Sequence, residues 1–139
     1  MKIRFLLDTN VLSEPVRPLP HPGVLHKLRE HEEEIATAAP VWNELLFGCE
    51  RLPPSRKREA IEGYLSRTVR TSIPILPYDQ AAAEWHAAER VRLAALGKPP
   101  SFVDGQIAAV AKVNNLVLVT SNRAHFEIFE GLHVQDWKQ

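Results

Sequence analysis

The fold can be argued outward from one N-terminal stretch, Lys2-Ile3-Arg4-Phe5-Leu6-Leu7-Asp8-Thr9-Asn10. Its apolar centre predicts a buried strand over residues 3–8, and the polar residues that follow mark its exit. Asp8 then lies at the carboxyl end of a central strand, where open α/β sheets bind their ligands. The alternative is a turn in which Asp8 and Asn10 only cap the backbone.

Composition predicts an ordinary globular chain. The 139 residues fit a single domain spanning 1–139, with 45% apolar and 24% charged residues. The 17 basic and 17 acidic side chains cancel, so a nucleic-acid contact requires a local basic patch. The single cysteine, Cys49, favours a reducing compartment, and no apolar segment approaches the ~20 residues of a membrane span. No signal peptide is recognisable, so we expect a cytoplasmic protein without a membrane partner.

Strand and helix patterns alternate along the rest of the chain. Further strands are predicted at residues 35–38, 73–76, 116–120 and 132–136, and Pro74 and Pro77 favour an edge position for 73–76. A stiff loop is predicted around Pro15–Pro22. This alternation predicts an α/β fold with three α/β/α layers around a central, mostly parallel, twisted sheet.

Helices are predicted between these strands. One runs from Val24 to about His31, one starts at Pro40, and another starts near Ser55 and carries Val69. Asp79 and Ser101 are the expected N-caps of two later helices, and Gly97 ends the first of these two near Leu96. A short helical turn is expected over residues 124–129.

Three carboxylates are candidates for one site, because strand ends and helix N-termini meet at the same sheet edge. They are Asp8, Glu44 and Asp104. Glu44 and Asp104 lie early in helices, where the macrodipole alone favours an acid. However, both precede apolar, small-residue sequence that indicates the interior, and no Lys or Arg is locally placed to pair with them. Buried carboxylates are costly unless paired or metal-bound, and three acids suit a hard cation, Mg²⁺ or Mn²⁺.

Four ordered blocks resemble those of a PIN domain, and most closely the VapC toxin branch of type II toxin–antitoxin systems. They are Asp8-Thr9-Asn10-Val11-Leu12-Ser13-Glu14, Trp42-Asn43-Glu44-Leu45-Leu46-Phe47-Gly48, Asp104-Gly105-Gln106-Ile107-Ala108-Ala109 and Val119-Thr120-Ser121-Asn122-Arg123-Ala124-His125-Phe126. The resemblance extends to the closing Gly131–Trp137 and so covers essentially the whole chain.

This resemblance implies a Mg²⁺- or Mn²⁺-dependent endoribonuclease that hydrolyses RNA phosphodiester bonds. It makes Asp8, Glu44 and Asp104 the core acids, and it implies supporting pocket positions at Thr9, Asn10, Thr120 and Asn122. Many relatives carry a fourth acid where this chain has His125, which leaves a second metal ion open. The implied partners are a cognate VapB-type antitoxin, which directs an arginine at the acidic pocket, and a second copy of the chain, giving a homodimer within a toxin–antitoxin hetero-oligomer.

The residues then receive hypothetical roles. We expect Asp8 and Asp104 to bind the metal directly, and Glu44 to bind it through water or to orient the nucleophile. Asn122 would offer a neutral oxygen ligand. His125 would bind the metal, contact the scissile phosphate, or do neither.

RNA contacts are expected from a basic cluster around Pro53-Pro54, made of Arg51, Arg56, Lys57 and Arg58. Arg90, Arg92 and Lys98 are further candidates. The alternative is a solvated charged surface, because Glu59, Glu62 and Glu89 are interleaved. Trp42 and Trp85 are expected to pack in the core or at a dimer interface rather than to stack on bases.

Two other functions remain open. A dehalogenase-type phosphatase also places an aspartate after its first strand, but it requires a second aspartate two residues later, where this chain has Asn10. A binding protein is the other alternative, namely an antitoxin-binding autoregulatory partner with weak or no catalysis. No P-loop and no His-Glu-x-x-His zinc motif occurs in the sequence.

Overall fold

The computed structural model describes residues 2–139, so of the predicted domain only Met1 lies outside the described residues. Five short strands form one parallel sheet: β1 (Phe5–Leu7), β2 (Ile35–Ala38), β3 (Ile75–Leu76), β4 (Val117–Val119) and β5 (Val134–Gln135). The α-helices are α1 (Thr9–Leu12), α2 (Pro22–Glu30), α3 (Ala39–Glu50), α4 (Arg56–Tyr64), α5 (Arg70–Ser72), α6 (Gln80–Ala95), α7 (Phe102–Val113) and α8 (Arg123–Phe126). None of these helices combines the length and the apolar character that a membrane span requires.

The strand order explains where a ligand site can form. The order across the sheet is β3-β2-β1-β4-β5, so the chain builds outward from β1 on one side and returns to its other side with β4. The topological switch point therefore lies between β1 and β4, where open parallel sheets form a ligand crevice at their carboxyl ends. The three-layer α/β architecture and the edge position of β3 are both confirmed.

The central strands are almost entirely apolar because helices cover both faces of the sheet. Every residue of β1 and β2 is buried, which is the continuous pattern expected of a parallel sheet covered on both faces. Thr37 is the polar exception in β2, and its hydroxyl donates to the Leu7 carbonyl oxygen at 2.8 Å. The sheet is therefore a rigid support for the residues at its carboxyl edge.

The first strand is shorter than predicted. It ends at Leu7 instead of extending over 3–8, because Asp8 acts as the N-cap of α1 and accepts a hydrogen bond from the Thr9 amide. The prediction of a loop up to Pro22 was likewise wrong in part. Residues Thr9–Leu12 form α1, and Glu14–Val16 form a 3₁₀ turn in which Pro15 occupies an early position that does not need its missing N–H.

The helix starts follow their local signals. Asp79 and Ser101 cap their helices with a side-chain oxygen, as predicted, and Ser55, near which a helix start was predicted, caps α4 in the same way. Pro40 is the second rather than the first residue of α3. Gly97 ends α6 with φ of +71°, a left-handed conformation that glycine adopts without steric cost.

Three other bounds differ from the predictions. The helix from Ser55 passes through a π-helical turn, Leu65–Val69, before α5, and the sequence pattern does not reveal this turn. Strands 116–120 and 132–136 contract to β4 and β5, and the turn at 124–129 becomes α8. The contraction leaves Thr120 just beyond β4, facing Asp8.

An ion pair between Glu89 and Arg92 connects α6 to residues 128–130, which follow α8. Glu89, only 5% exposed, accepts two hydrogen bonds from the Arg92 guanidinium at 2.8 Å each and one from the Glu130 amide at 2.8 Å. Arg92 also donates to the Ile128 carbonyl oxygen at 2.8 Å. These bonds, led by the contact with Arg92, hold the pKa of Glu89 below its usual range.

We predict that Glu89→Gln lowers the thermal midpoint by a few degrees at neutral pH, because the charge-assisted bonds to the partly exposed Arg92 are weakened. A depressed carboxylate pKa stabilises the fold above the ordinary glutamate pKa, and this contribution is lost as the pH falls through the lowered value. The difference between wild type and variant should therefore shrink in acid, as measured by thermal unfolding across a pH series.

The matched control is Glu62→Gln, which removes an exposed partner of Arg58 at 2.7 Å and should change stability little. A pH-independent difference for Glu89→Gln, or equal effects at the two positions, would contradict this account.

Candidate active site

Asp8 lies buried at the switch point, with only 5% of its surface exposed. Its Oδ1 accepts from the Thr9 amide at 2.8 Å, and its Oδ2 accepts from the Thr120 hydroxyl at 2.8 Å. Asp8 therefore does cap the backbone at this point, but its carboxylate also accepts a hydrogen bond from Thr120 on a neighbouring strand end. The bond to Thr120 joins the end of β1 to the end of β4 and fixes the orientation of the carboxylate.

Asn10 reinforces the same junction. Its side-chain oxygen accepts from the Ser121 amide at 3.0 Å, while its Nδ2 lies 3.4 Å from Asp8 Oδ2 and 3.5 Å from Thr120 Oγ1. The Thr120 hydroxyl also accepts from the Asn122 amide at 3.0 Å. Four of the residues singled out in the sequence thus lie together, and two of them, Asn10 and Thr120, contact the Asp8 carboxylate directly.

Glu44 projects from the exposed side of α3 at the edge of this crevice. Its Oε1 accepts from the Thr9 hydroxyl at 2.7 Å, which links α3 to the first turn of α1. The expectation that Glu44 is interior was wrong: it is exposed, because the buried face of α3 is formed by Val41, Leu45 and Cys49. Leu45, which directly follows Glu44 in sequence, lies on the buried side of the helix.

Asp104 lies in the first turn of α7, where Ser101 caps its amide at 3.1 Å. Its side chain is 27% exposed, so it too is less buried than expected, although the following Gly105 and Ile107 are buried. The nearest basic group is His125, whose Nδ1 lies 3.6 Å from Asp104 Oδ2. His125 is 64% exposed and reaches the rim of the crevice from α8.

The electrostatics identify Asp8 as the central group. Burial raises the pKa of the Asp8 carboxyl, and the negative charges of Glu44 and Asp104 raise it further, while the bonds from Thr120 and Thr9 oppose the rise. Within residues 2–139, no Lys or Arg side chain forms an ion pair with Asp8, Glu44 or Asp104. The crevice therefore holds negative charge that the described protein groups do not neutralise.

The donor set suits a hard divalent cation, since carboxylate, hydroxyl and amide oxygens surround a buried and uncompensated Asp8. As placed, no three His, Cys, Asp or Glu side chains in residues 2–139 lie close enough together to hold a metal ion. Glu44 bonds to Thr9, and Asp104 lies beside His125. Because like charges repel one another, a cation would require the exposed Glu44 and the half-buried Asp104 side chains to turn toward the fixed Asp8.

The predicted RNA-contact residues divide into two groups. Arg58 is engaged, because it donates to Glu62 Oε1 at 2.7 Å and to the Leu52 carbonyl oxygen at 2.8 Å. Arg51, Arg56 and Lys57 are exposed, and none has a carboxylate within 4.0 Å in the described part of the chain. Arg58 is thus paired with one of the interleaved acids, whereas Arg51, Arg56 and Lys57 carry unpaired positive charge in the described part of the chain.

Two further sequence expectations can be compared with the packing. Trp42 and Trp85 are half-buried against the core, as expected, and Trp85 lies 6.0 Å from the ring of Phe129. Sequence reasoning missed the buried acid Glu14, which accepts from the His21 amide at 3.0 Å and anchors the loop before α2. It also missed Glu89, although the Glu89–Arg92 spacing of three residues on a helix was a usable signal.

Comparisons with known proteins agree with this arrangement. The PIN domain family profile matches residues 5–130. The tRNA(fMet)-specific endonuclease VapC of Shigella flexneri is 32% identical over 136 residues, covering 97% of this chain and 98% of the relative. Among solved structures, FitAcB from Neisseria gonorrhoeae matches with a TM-score of 0.88 and 31% identity, covering 96% of this chain and 97% of that one.

The DNA-bound VapBC of Salmonella typhimurium matches with a TM-score of 0.85 and 27% identity over 97% of this chain and 98% of that one. The family profile spans most of the chain, and the relatives match over nearly their full length. This chain therefore belongs to the PIN-domain family, in its VapC branch of toxin ribonucleases.

Proposed function

We propose that this chain is the toxin of a type II toxin–antitoxin system and acts as a Mg²⁺-dependent endoribonuclease. The observation that carries the proposal is the buried, uncompensated Asp8 at the switch point, with Glu44 and Asp104 close enough to raise its pKa. Ribonucleases with this domain depend on a divalent metal ion. Mg²⁺ is the proposed ion because the donors are oxygens, and Mn²⁺ is the alternative.

The proposed roles follow from how firmly each side chain is held. Asp8 is fixed by Thr120 and Thr9 and would bind the metal directly, together with Asp104 from the first turn of α7. The bound ion would lower the pKa of a water molecule and offset charge on the scissile phosphate. Glu44, exposed and hydrogen-bonded to the Thr9 hydroxyl, would bind the metal through water or orient the attacking water.

The remaining pocket residues support these three acids. Asn10 and Thr120 hold the β1 and β4 ends together around Asp8, and Asn122 lies next to Thr120 on the exposed side. His125 would contact the scissile phosphate from the rim or join Asp104 as a ligand. Arg51, Arg56 and Lys57 carry the free positive charge proposed to hold RNA phosphates, while Arg58 is already occupied by Glu62.

The proposed partners follow from the relatives. FitAcB and VapBC are toxin–antitoxin complexes, so we propose a VapB-type antitoxin for this chain, assembled as a homodimer within a larger complex. An antitoxin arginine would meet three acids that have no Lys or Arg partner among residues 2–139. We propose that the protein acts on RNA in the cytoplasm. The first substrate to test is tRNA(fMet), because the Shigella flexneri relative is named as an endonuclease specific for this tRNA. The five strands of the single sheet lie between residues 5 and 135, which supports the proposal of one domain over residues 1–139.

We predict that Asp8→Asn raises the thermal midpoint by a few degrees when EDTA removes divalent ions. The substitution removes a buried negative charge that no described Lys or Arg pairs with, and it keeps the shape of the side chain. Asp79→Asn, which changes an exposed N-cap while keeping a capping oxygen, is the matched control and should leave the midpoint unchanged. A lower midpoint for Asp8→Asn than for wild type would show that the carboxylate is compensated.

We predict that the purified chain cleaves tRNA in Mg²⁺ or Mn²⁺, and that EDTA abolishes the cleavage. Asp8→Asn and Asp104→Asn should each reduce the rate by about a hundredfold or more, because metal-derived stabilisation is worth several kcal/mol. Cleavage is measured by gel with end-labelled RNA, and Asp79→Asn is the control. Full activity of Asp8→Asn would overturn the assignment, and inactive wild type with intact antitoxin binding would favour the non-catalytic alternative.

A further inference from the structure

Helix α3 exposes an aromatic ring beside the acidic crevice. Phe47 is 64% exposed, the most of any Phe, Trp or Tyr in residues 2–139, although the opposite face of α3 is packed in the core. An exposed aromatic on an otherwise amphipathic helix is an unused apolar surface. No role proposed above for the active site uses it.

Phe47 belongs to a short stripe along one side of α3, formed by Glu44, Phe47 and Arg51. Residues three and seven positions apart share a helix face, and the rise from Glu44 to Arg51 is about 10 Å. The Arg51 guanidinium lies 5.6 Å from the centroid of the Phe47 ring, within cation–π range. A Cβ built on the neighbouring Gly48 would meet nothing within 4 Å, so the surface next to the ring is open.

The charge at the end of the stripe is free. Arg51 has no carboxylate within 4.0 Å in the described part of the chain, whereas Arg58 and Arg92 are neutralised by Glu62 and Glu89. Beyond Arg51 the chain continues to the exposed Arg56 and Lys57. The stripe therefore runs from an acid of the active site, over an aromatic ring, to unpaired positive charge.

We propose that this α3 stripe binds a single-stranded segment of the RNA substrate next to the scissile phosphate. One nucleobase stacks on the open face of Phe47, and Arg51 contacts an adjoining phosphate. Aromatic stacking tolerates any base, because every base has a π-face, and phosphate contacts hold the strand without reading its sequence. The span of about 10 Å corresponds to a few nucleotides at ~3.4 Å per stacked step.

RNA fits the stripe better than an apolar protein segment does. A protein segment that covered Phe47 would also cover Arg51, and burial of a guanidinium without a carboxylate partner is costly. A nucleotide supplies both the flat aromatic surface and the anion at the required separation. This inference rests on the proposed ribonuclease function, because it assigns a subsite to the same substrate.

The test compares Phe47→Leu with Phe47→Trp, which removes and restores an aromatic platform respectively. Phe102→Leu is the matched control, because Phe102 is 50% exposed and has the Arg90 guanidinium 5.0 Å from its ring centroid. Phe102 and Asp104 are two residues apart and so lie on opposite sides of α7. Phe102 therefore offers the same chemistry away from the acids.

Two readouts separate stacking from a structural effect. Binding of a fluorescein-labelled single-stranded RNA of mixed sequence, and of the same length of abasic strand, is measured in the Asp8→Asn background. Phe47→Leu should weaken binding of the RNA by about tenfold and leave binding of the abasic strand unchanged, and Phe47→Trp should restore RNA binding. In the otherwise wild-type chain, Phe47→Leu should raise KM while kcat stays constant, and Phe102→Leu should change neither.

Two outcomes would overturn the proposal. One is unchanged RNA binding and cleavage by Phe47→Leu in a chain whose wild type cleaves RNA, which would leave the ribonuclease function intact. The other is loss of antitoxin binding by Phe47→Leu with normal RNA cleavage, which would make the ring a protein contact. Failure of the ribonuclease function itself is distinguishable, because the wild-type chain would then cleave nothing.

Discussion

The hydrogen bond from the Thr120 hydroxyl to the buried Asp8 carboxylate is the contact on which the rest of the site depends. It joins the carboxyl ends of β1 and β4, the two parallel strands between which the strand order switches from one side of β1 to the other. Asn10 makes a second connection between these two strand ends, because its side-chain oxygen accepts a hydrogen bond from the Ser121 amide. Because these bonds fix the carboxylate, Glu44 and Asp104 can remain more exposed and adjustable without loss of the site's position.

The three acids therefore differ in burial as well as in position. Asp8 is held in the sheet, Asp104 in the first turn of α7, and Glu44 on the exposed side of α3. Such a gradient suits a cation site, since one ligand is preorganised and the others close around the ion.

Local signals in the sequence were enough to predict much of the fold. Asp79 and Ser101 were recognised as caps because capping depends on one side chain and the next few amides. The positions of β2 and of the edge strand β3 followed from β-rich, proline-flanked segments. The gathering of Asp8, Asn10 and Thr120 also followed, because parallel strands must bring their carboxyl ends to one edge.

The sequence could not show which side of each helix packs against the core. Glu44 precedes four apolar or small residues, a pattern that indicates the interior. In the structure Glu44 lies on the exposed side of α3, whereas Leu45 is buried. The π-helical turn after Tyr64 has no residue signature. The hydroxyl of Tyr64, whose pKa burial raises to about 12, donates to the Leu12 carbonyl oxygen, a contact across 52 residues that no local pattern encodes.

Direct measurement of metal binding tests the central claim that Asp8 organises a divalent-cation site. Titration of Mn²⁺ into the purified chain, followed by the electron paramagnetic resonance signal of the free ion, counts the bound ions without relying on catalysis. The account predicts that wild type and Asp79→Asn bind Mn²⁺, that Mg²⁺ competes with it, and that Asp8→Asn loses this binding. Equal Mn²⁺ binding by Asp8→Asn and wild type would contradict the account.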